Sequence, residues 1–528
     1  MITSPIAVIR QFLQADGAVI LPEIELVLFA LGILLLDFWM SEKEKYWNAV
    51  LALTGTAFSG LTLWILRGQI AARGDLPAFH ETVLIDPFFL VFGAIFLLAT
   101  ALVTVLSVKY LDIEDEQHGE YYALLLFACV GMMFMVSGID LMVEFLGLET
   151  MALSFHVLTG FLRRSKYSNK AALKYVLLGG FSSGILAYGF SLLYGLSGTT
   201  SIGGIAAALA QRNNLIRAVV LSHEPGPAGE QIRQMLQTRM PAALHFDPWM
   251  LQALPMLAFV LIAIGLFFKV AAVPFHQWSP DVYEGAPTPI SLYVSAASKT
   301  AAFAVLLRLF VIVFGPSQET WIYLVVGVAL ASLTWGNFAA LRQTNLKRLL
   351  AYSSIVHIGY MLLGFVAWNQ AGFLGIAYHL FAYVFMTVGA FTVVIVLRQK
   401  ELIGDRLTDL DGLYQRSPTA AVLLLIFMLS LAGIPPSAGF LGKYYIFRAL
   451  MESKHPVLAV LAVLSILPGL YYYTRLVVHA WKKPASDTLP LVMSSAEAVA
   501  MGVAVFVTLA AGLYPEPFTR LVRYAFGQ

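Results

Sequence analysis

The sequence predicts an all-α polytopic membrane protein of about fourteen transmembrane helices, and three observations predict it. Of 528 residues, 59% are hydrophobic and only 12% charged, against roughly 25% charged in an ordinary soluble domain. Apolar runs of the roughly 20 residues that cross a bilayer core recur along the whole chain. The short connections between them concentrate lysine and arginine. With 33 Lys and Arg against 31 Asp and Glu, the net charge is only +2, so no broad basic surface argues for nucleic acid.

The runs lie near 21–40, 47–66, 87–108, 121–138, 141–161, 172–196, 250–279, 287–314, 319–341, 347–367, 371–397, 418–450, 455–480 and 492–514. An even number places both termini on one side. The basic loops hold Lys43 and Lys45, then Arg163, Arg164, Lys166 and Lys170, then Arg342, Lys347 and Arg348, with four more cations in 398–417. All fall on one alternating face, which the positive-inside rule makes cytoplasmic. The first twenty residues carry Arg10 and Asp16 where a signal peptide is apolar, and no small-residue cleavage site is clear. They are expected to be retained.

Residues 197–249 break the pattern, with charges and Gly/Pro interruptions that exclude a spanning helix. An external loop with one amphipathic helix near 228–240, lying along the interface, is expected. The single cysteine, Cys129, lies in the run YYALLLFACVGMMFMV and has no partner within the chain. Disulfides and cysteine-ligated metal sites inside this chain are excluded.

An ionisable side chain at the bilayer centre costs about 2.5–3.5 kcal/mol on insertion scales, so each one is a functional candidate. Glu149 sits in FLGLETMALSFH, Lys269 in GLFFKVAAVPFHQW, Lys299 in SAASKTAAF, His357 in AYSSIVHIGY, His379 in AYHLFAYVF and Lys443 in AGFLGKYYIF. Three lysines cannot all pair with one glutamate. A buried amine holds its proton weakly because desolvation penalises the charged form, and a nearby carboxylate reverses this. A lysine with a movable carboxylate can therefore load and release a proton.

Helix breaks coincide with these lysines. Lys269 precedes Pro274, and Lys443 follows Pro435 and Pro436; proline interrupts the helix that carries it. Freed backbone groups at membrane depth are tolerated only against protein or a hydrated cavity. Breaks at corresponding points of two five-helix stretches, 121–314 and 319–480, mark an internal repeat.

Blander readings attach to the other polar groups. Lys299 could snorkel to an interface, though it lies more than two turns from the Pro289 end of its run. His357 and His379 could each simply bond a neighbouring helix. Glu144 stands about 140° around the helix from Glu149 and near the helix end, so it is expected to be an interfacial charge. His156 shares the face of Glu149 and could serve proton entry. Arg308 and Arg448 are expected to be anchors near span ends. No phosphate loop, dinucleotide fingerprint or metal-ligand spacing is present in the sequence.

The runs FLGLETMALSFHVLTGF, NKAALKYVLLGGFSSGILAYGF, FKVAAVPFHQWSPDVYEGAPTPISLYVSAASKTAAF, QTNLKRLLAYSSIVHIGYMLLG and LAGIPPSAGFLGKYYIF closely resemble subunit N (subunit 2) of the proton-pumping NADH:quinone oxidoreductase, respiratory complex I. The likeness covers essentially every span, and DVYEGAPTP and AYSSIVHIGY are its most specific motifs. It implies fourteen transmembrane helices in two inverted five-helix repeats, with helices 7 and 12 broken. It implies helices 1–3 in 1–110, a first repeat in 111–316, a second in 317–482, and a last helix and tail in 483–528. Glu149, Lys269, Lys299, His357, His379 and Lys443 fall on the family's proton-translocating positions, whereas Tyr383 stands where other antiporter-like subunits have a lysine. The 197–249 loop looks longer than the family's usual link. The resemblance further implies no cofactor in this subunit, with quinone, NADH, FMN and iron–sulfur clusters served by the rest of the complex. Neighbours would be the antiporter-like subunit M, the small subunit K and the lipid of a bacterial inner membrane, with both termini periplasmic. A cation/proton antiporter subunit, a ferredoxin-driven relative and a scaffold remain as alternatives.

Overall fold

In lipid every backbone donor and acceptor must be satisfied by the protein itself, which leaves the α-helix as the repeating solution for these apolar runs. A computed structural model describes residues 16–527 except 42, 240–247, 399–403 and 485–490. Arg10, the N-terminal segment to residue 15, Lys400 and the end of the long loop lie outside the described residues.

The helices are α1 (Leu21–Leu36), α2 (Trp47–Arg73), α3 (Pro87–Glu114), α4 (Gly119–Ser137), α5 (Leu141–Thr159), α6 (Lys166–Ser197), α7 (Ile202–Ser222), α8 (Pro227–Arg239), α9 (Pro248–Val270) and α10 (Ser279–Gly285). They continue as α11 (Thr288–Val313), α12 (Gln318–Leu341), α13 (Leu346–Ala367), α14 (Gln370–Leu397), α15 (Pro418–Ala432), α16 (Ala438–Glu452), α17 (Pro456–Lys482), α18 (Ser495–Leu513) and α19 (Glu516–Ala525). Polar side chains close their first turns: Asp86 accepts from the Phe89 N–H, Asp140 from Met142, Asn345 from Arg348 and Asn369 from Gly372. Each satisfies one of the orphan donors that begin a helix.

Among the described residues, twelve helices are long and apolar enough to cross a membrane. The other two expected runs are the 16-residue α1 and 418–450, which is two helices of 15 residues each, α15 and α16, parted at Pro435 and Pro436 as the expected break requires. The long loop differs from expectation. It holds two helices, because Ile202, Ile205, Leu209, Ile216 and Val219 form one buried stripe along α7 at helical spacing. A bend at 224–226 then starts α8.

Helices α13 and α14 lie at the centre and are apolar on nearly every side, as a helix wrapped by other helices must be. In α4 and α5 the backbones touch. A Cβ on Gly131 would lie 2.4 Å from the Met151 nitrogen, and one on Gly147 would lie 2.8 Å from that of Met135. Small residues permit this approach where van der Waals packing supplies the association.

Successive crossings put the loops after α5, α10, α12 and α14 on one face, here the basic face. The other, far face carries a short antiparallel hairpin, β1 (Leu76–Ala78) with β2 (Val83–Ile85), which the apolar periodicity did not indicate. The Ile139 N–H donates to the Thr82 carbonyl, Leu141 to Thr200, and Ile202 to Ile139. Hairpin, α4–α5 turn and α7 start thus interlock above the ends of the helices.

Candidate functional site

The site begins where α9 stops. Ala271 adopts φ +63°, and the N–H groups of Ala271 and Ala272 return to the carbonyls of Phe268 and Phe267. The Trp278 indole donates to the Phe268 carbonyl at 2.8 Å, and the Val273 N–H finds Ser332 of α12 at 3.0 Å. The freed groups are therefore satisfied by protein from both halves of the chain. Trp278 is fixed in turn by stacking on Tyr175, with ring centroids 4.6 Å apart.

Lys269 is the penultimate residue of α9. Its ammonium donates to Ser183 of α6 at 3.3 Å. Glu149 supplies the favourable charge acting on it, yet no ion pair joins them, and one Glu149 carboxylate oxygen is buried without a hydrogen-bond partner. His156 completes this corner. It is buried, its ring stands edge-on to Tyr175 at 4.7 Å, and Gly179 leaves the space its Nε2 occupies.

Lys299 follows a π-helical turn, Val294–Ser298, the kind of distortion that recurs at functional positions. Its ammonium donates to Ser354 of α13 at 2.5 Å and lies 5.3 Å from the centre of the Tyr283 ring. It does not snorkel. From the same turn, Ser295 shares a hydrogen bond with Tyr383 at 3.0 Å, and the Tyr383 ring lies 5.1 Å from that of His357. His357 Nδ1 is 3.0 Å from His379 Nε2, and its other nitrogen faces Tyr473 at 3.4 Å. Which nitrogen carries each proton depends on the tautomers.

The second break holds its lysine directly. Gly433 ends α15 at φ +85°, and Lys443 donates to the carbonyls of Leu431 and Ala432 at 2.9 and 3.0 Å. A helix C-terminus carries partial negative charge and favours a cation there. The Tyr360 ring lies 4.8 Å away. Gly442, the residue before Lys443, makes room for His379, since a Cβ there would meet His379 Nδ1 at 2.6 Å.

Lys269, Lys299, His357, His379 and Lys443 are each no more than 4% exposed, and Glu149 flanks the row at its Lys269 end. Among the described residues none of the three lysines forms an ion pair; hydroxyls, carbonyls and ring faces surround them. Ser183 and Ser354 each accept from a lysine of the row, Ser295 bonds Tyr383 beside the His357 ring, and Tyr473 faces the other nitrogen of that ring; of these only Tyr383 stands out in the sequence. Hydroxyls cost little in a membrane helix and give no signal against the background.

Two expectations fail at the far face. Glu144 is not interfacial but 2% exposed, with neither carboxylate oxygen bonded. Arg308 is no lipid anchor; it is 7% exposed and paired with Asp86. The interlocked hairpin and α7 cover the ends of both helices. Arg448 is exposed and pairs with Glu452 one turn on, as an anchor would.

At the basic face, the acids of DVYEGAPTP join the two halves. Asp281 binds Lys174 of α6 and Arg348 of α13, and Glu284 binds the same guanidinium at 2.7 Å. Lys347 is buried and donates to the Ala286 carbonyl at 3.0 Å. Partial burial pushes the Asp281 carboxyl up, but Lys174 and Arg348 outweigh it and hold it below the usual carboxylate range.

A multi-pass bundle whose centre holds a row of lysines and histidines, with a broken helix at each end, defines an antiporter-like membrane subunit. Residues 138–468 match the family described as NADH:quinone oxidoreductase/Mrp antiporter, transmembrane. The chain is 46% identical to NADH-quinone oxidoreductase subunit N 1 of Koribacter versatilis, over 97% of this chain and 96% of the relative. It belongs to the NADH-quinone oxidoreductase subunit N family. A chain of respiratory complex I from Thermus thermophilus superposes with a TM-score of 0.74 at 29% identity, covering 94% of this chain and 98% of that one. A chain of the Mrp complex from a Dietzia species shares the fold alone, with a TM-score of 0.76 at 19% identity over 95% and 96%.

Proposed function

We propose that this chain is the proton-translocating subunit N of the membrane arm of an NADH:quinone oxidoreductase. The observation that carries the proposal is the row itself. Three lysines sit at membrane depth hydrogen-bonded to hydroxyls and carbonyls, with a bonded histidine pair alongside the second and third, and such groups mark ion or proton routes rather than packing.

Glu149 and Lys269 act as a separable pair. When the carboxylate approaches, Lys269 holds its proton; when it withdraws, the desolvated amine gives the proton up. Protons enter from the basic face, which is the cytoplasm, and pass from Lys269 toward Lys299. They continue past His357 and His379 and leave from Lys443 toward the periplasm. Moving one charge against 100 mV costs about 2.3 kcal/mol, a load supplied by quinone reduction elsewhere in the complex. NADH, FMN, iron–sulfur clusters and quinone belong to other subunits. Subunits M and K are the expected neighbours in the bacterial inner membrane, with both termini periplasmic. The repeats are 111–316 and 317–482, between helices in 1–110 and 483–528.

The test is NADH-driven acidification of inverted vesicles from a strain lacking the chain and from the same strain with it restored. Restoration of acidification with no dependence on sodium supports the proposal. Sodium-dependent proton movement without quinone reduction would assign the chain to a cation/proton antiporter. Acidification driven by reduced ferredoxin but not by NADH would assign it to a ferredoxin-fed relative.

A further inference from the structure

Among the described residues, the row leaves two buried acids unused with neither carboxylate oxygen bonded, Glu23 and Glu144, and Glu144 is the one with a cation acting on it. Glu144, one of the most deeply buried carboxyls in the described residues, makes no hydrogen bond. Leaving a buried polar group unpaired costs stability, and an isolated buried charge costs more. A methionine or leucine would fill the place without that cost, so packing alone does not account for a carboxyl here.

Its surroundings supply one cation, also incompletely used. Arg308 acts on Glu144 as an opposite charge and Asp140 as a like one. One terminal nitrogen of Arg308 holds both oxygens of Asp86, at 2.9 and 2.8 Å, while its Nε is buried with no partner. The guanidinium lies over Phe88, 4.9 Å from the ring centre. The hydroxyl of Ser137, at the end of α4, is likewise buried and unbonded. Asp140 is engaged by the Met142 N–H and the Thr200 hydroxyl, so it offers Glu144 nothing. Gly138 leaves room for the acid, since a Cβ there would lie 3.2 Å from Glu144 Cγ. Above it lie the hairpin, the α4–α5 turn and the start of α7, tied by the hydrogen bonds at Ile139, Leu141 and Ile202.

We propose that Glu144 is a proton-binding site at the far end of α5, and that Arg308, shared between Asp86 and Glu144, sets whether it keeps its proton. The idea rests on the proton-translocating reading given above. With Arg308 on Asp86, as observed, Glu144 is neutral and holds its O–H bond. When the guanidinium turns its free Nε toward Glu144, that bond breaks, the proton passes to water on the far side, and the carboxylate pairs with Arg308. Asp86 keeps the Phe89 N–H throughout. The arrangement repeats at the far face what Glu149 and Lys269 provide at membrane depth, with the movable charge on the cation.

The test compares the intact complex carrying Glu144→Gln with wild type and with Lys269→Ala, measuring protons moved per quinone reduced in inverted vesicles. The infrared difference spectrum on reduction is recorded for the same preparations. The expected result is a several-fold lower proton yield in Glu144→Gln and loss of a protonated-carboxyl band that wild type shows. A wild-type yield in Glu144→Gln with an impaired Lys269→Ala overturns this proposal alone. Normal yields in both overturn the translocation reading itself. If Glu144→Gln does not assemble, Glu144→Asp decides: a complex that pumps and keeps a protonated-carboxyl band, shifted from that of wild type, supports the site, and an unshifted band or failed assembly overturns it.

Discussion

His357 and His379 are joined by a single hydrogen bond, Nδ1 to Nε2 at 3.0 Å, at the crossing of the two most enclosed helices. Because one nitrogen must donate and the other accept, a proton arriving at one ring reverses the polarity of the bond and leaves from the other. The pair then acts as one unit, and changes to it are non-additive. His357→Leu and His379→Leu should each slow proton flux about tenfold, equivalent to about 1.4 kcal/mol, and the double change should slow it little further. Stopped-flow acidification of vesicles with the assembled complex measures this; additive losses would show two independent sites.

Lys443 is held by the carbonyls that the break in α15 exposes. Lys443→Met should abolish pumping and leave two acceptors unpaired, lowering the stability of the subunit by about 1–3 kcal/mol. Lys443→Arg should not restore pumping, because a planar guanidinium does not replace a compact ammonium under Gly433 and Tyr360. Proton yield and thermal inactivation of the purified complex read the two effects separately.

Tyr383 ties the turn before Lys299 to the ring of His357. Removing only its hydroxyl, in Tyr383→Phe, should leave assembly intact and lower proton flux several-fold. Unchanged flux in an assembled complex would remove Tyr383 from the route.

The clamp at the basic face predicts a pH effect. Asp281 is held below the usual carboxylate range in the folded chain, so it contributes stability above its unfolded value, about 3.9, and loses it as pH falls through the folded one. Because the carboxyl is partly exposed, the contribution is on the order of 1 kcal/mol or less. Asp281→Asn should therefore lower the inactivation temperature at neutral pH and leave it nearly unchanged at the most acid pH the complex tolerates. Equal loss at both would point to packing.

How far the site could be read from the sequence depended on what each residue costs in lipid. Lys269, Lys299 and Lys443 stood out because a charge in an apolar run is expensive, and the prolines beside two of them located the breaks. The serines and tyrosines that hold those lysines gave no such signal. Glu144 and Arg308 lie near helix ends, which in the sequence suggests solvent, yet both are buried. The cover over them comes from two three-residue strands and α7, elements too short or too late in the chain for local periodicity to place. Arg348 and Lys347 read in the sequence as loop charges, yet one pairs with Asp281 and Glu284 and the other is buried against Ala286.

The central claim is that Lys269 carries translocated protons. Donor-driven acidification of inverted vesicles from Lys269→Ala cells tests it most directly, with quinone reduction and assembly assayed on the same preparation. An assembled complex whose pumping collapses, alone or together with quinone reduction, is the predicted result. Wild-type rates of both would contradict it and make Lys269 a structural residue.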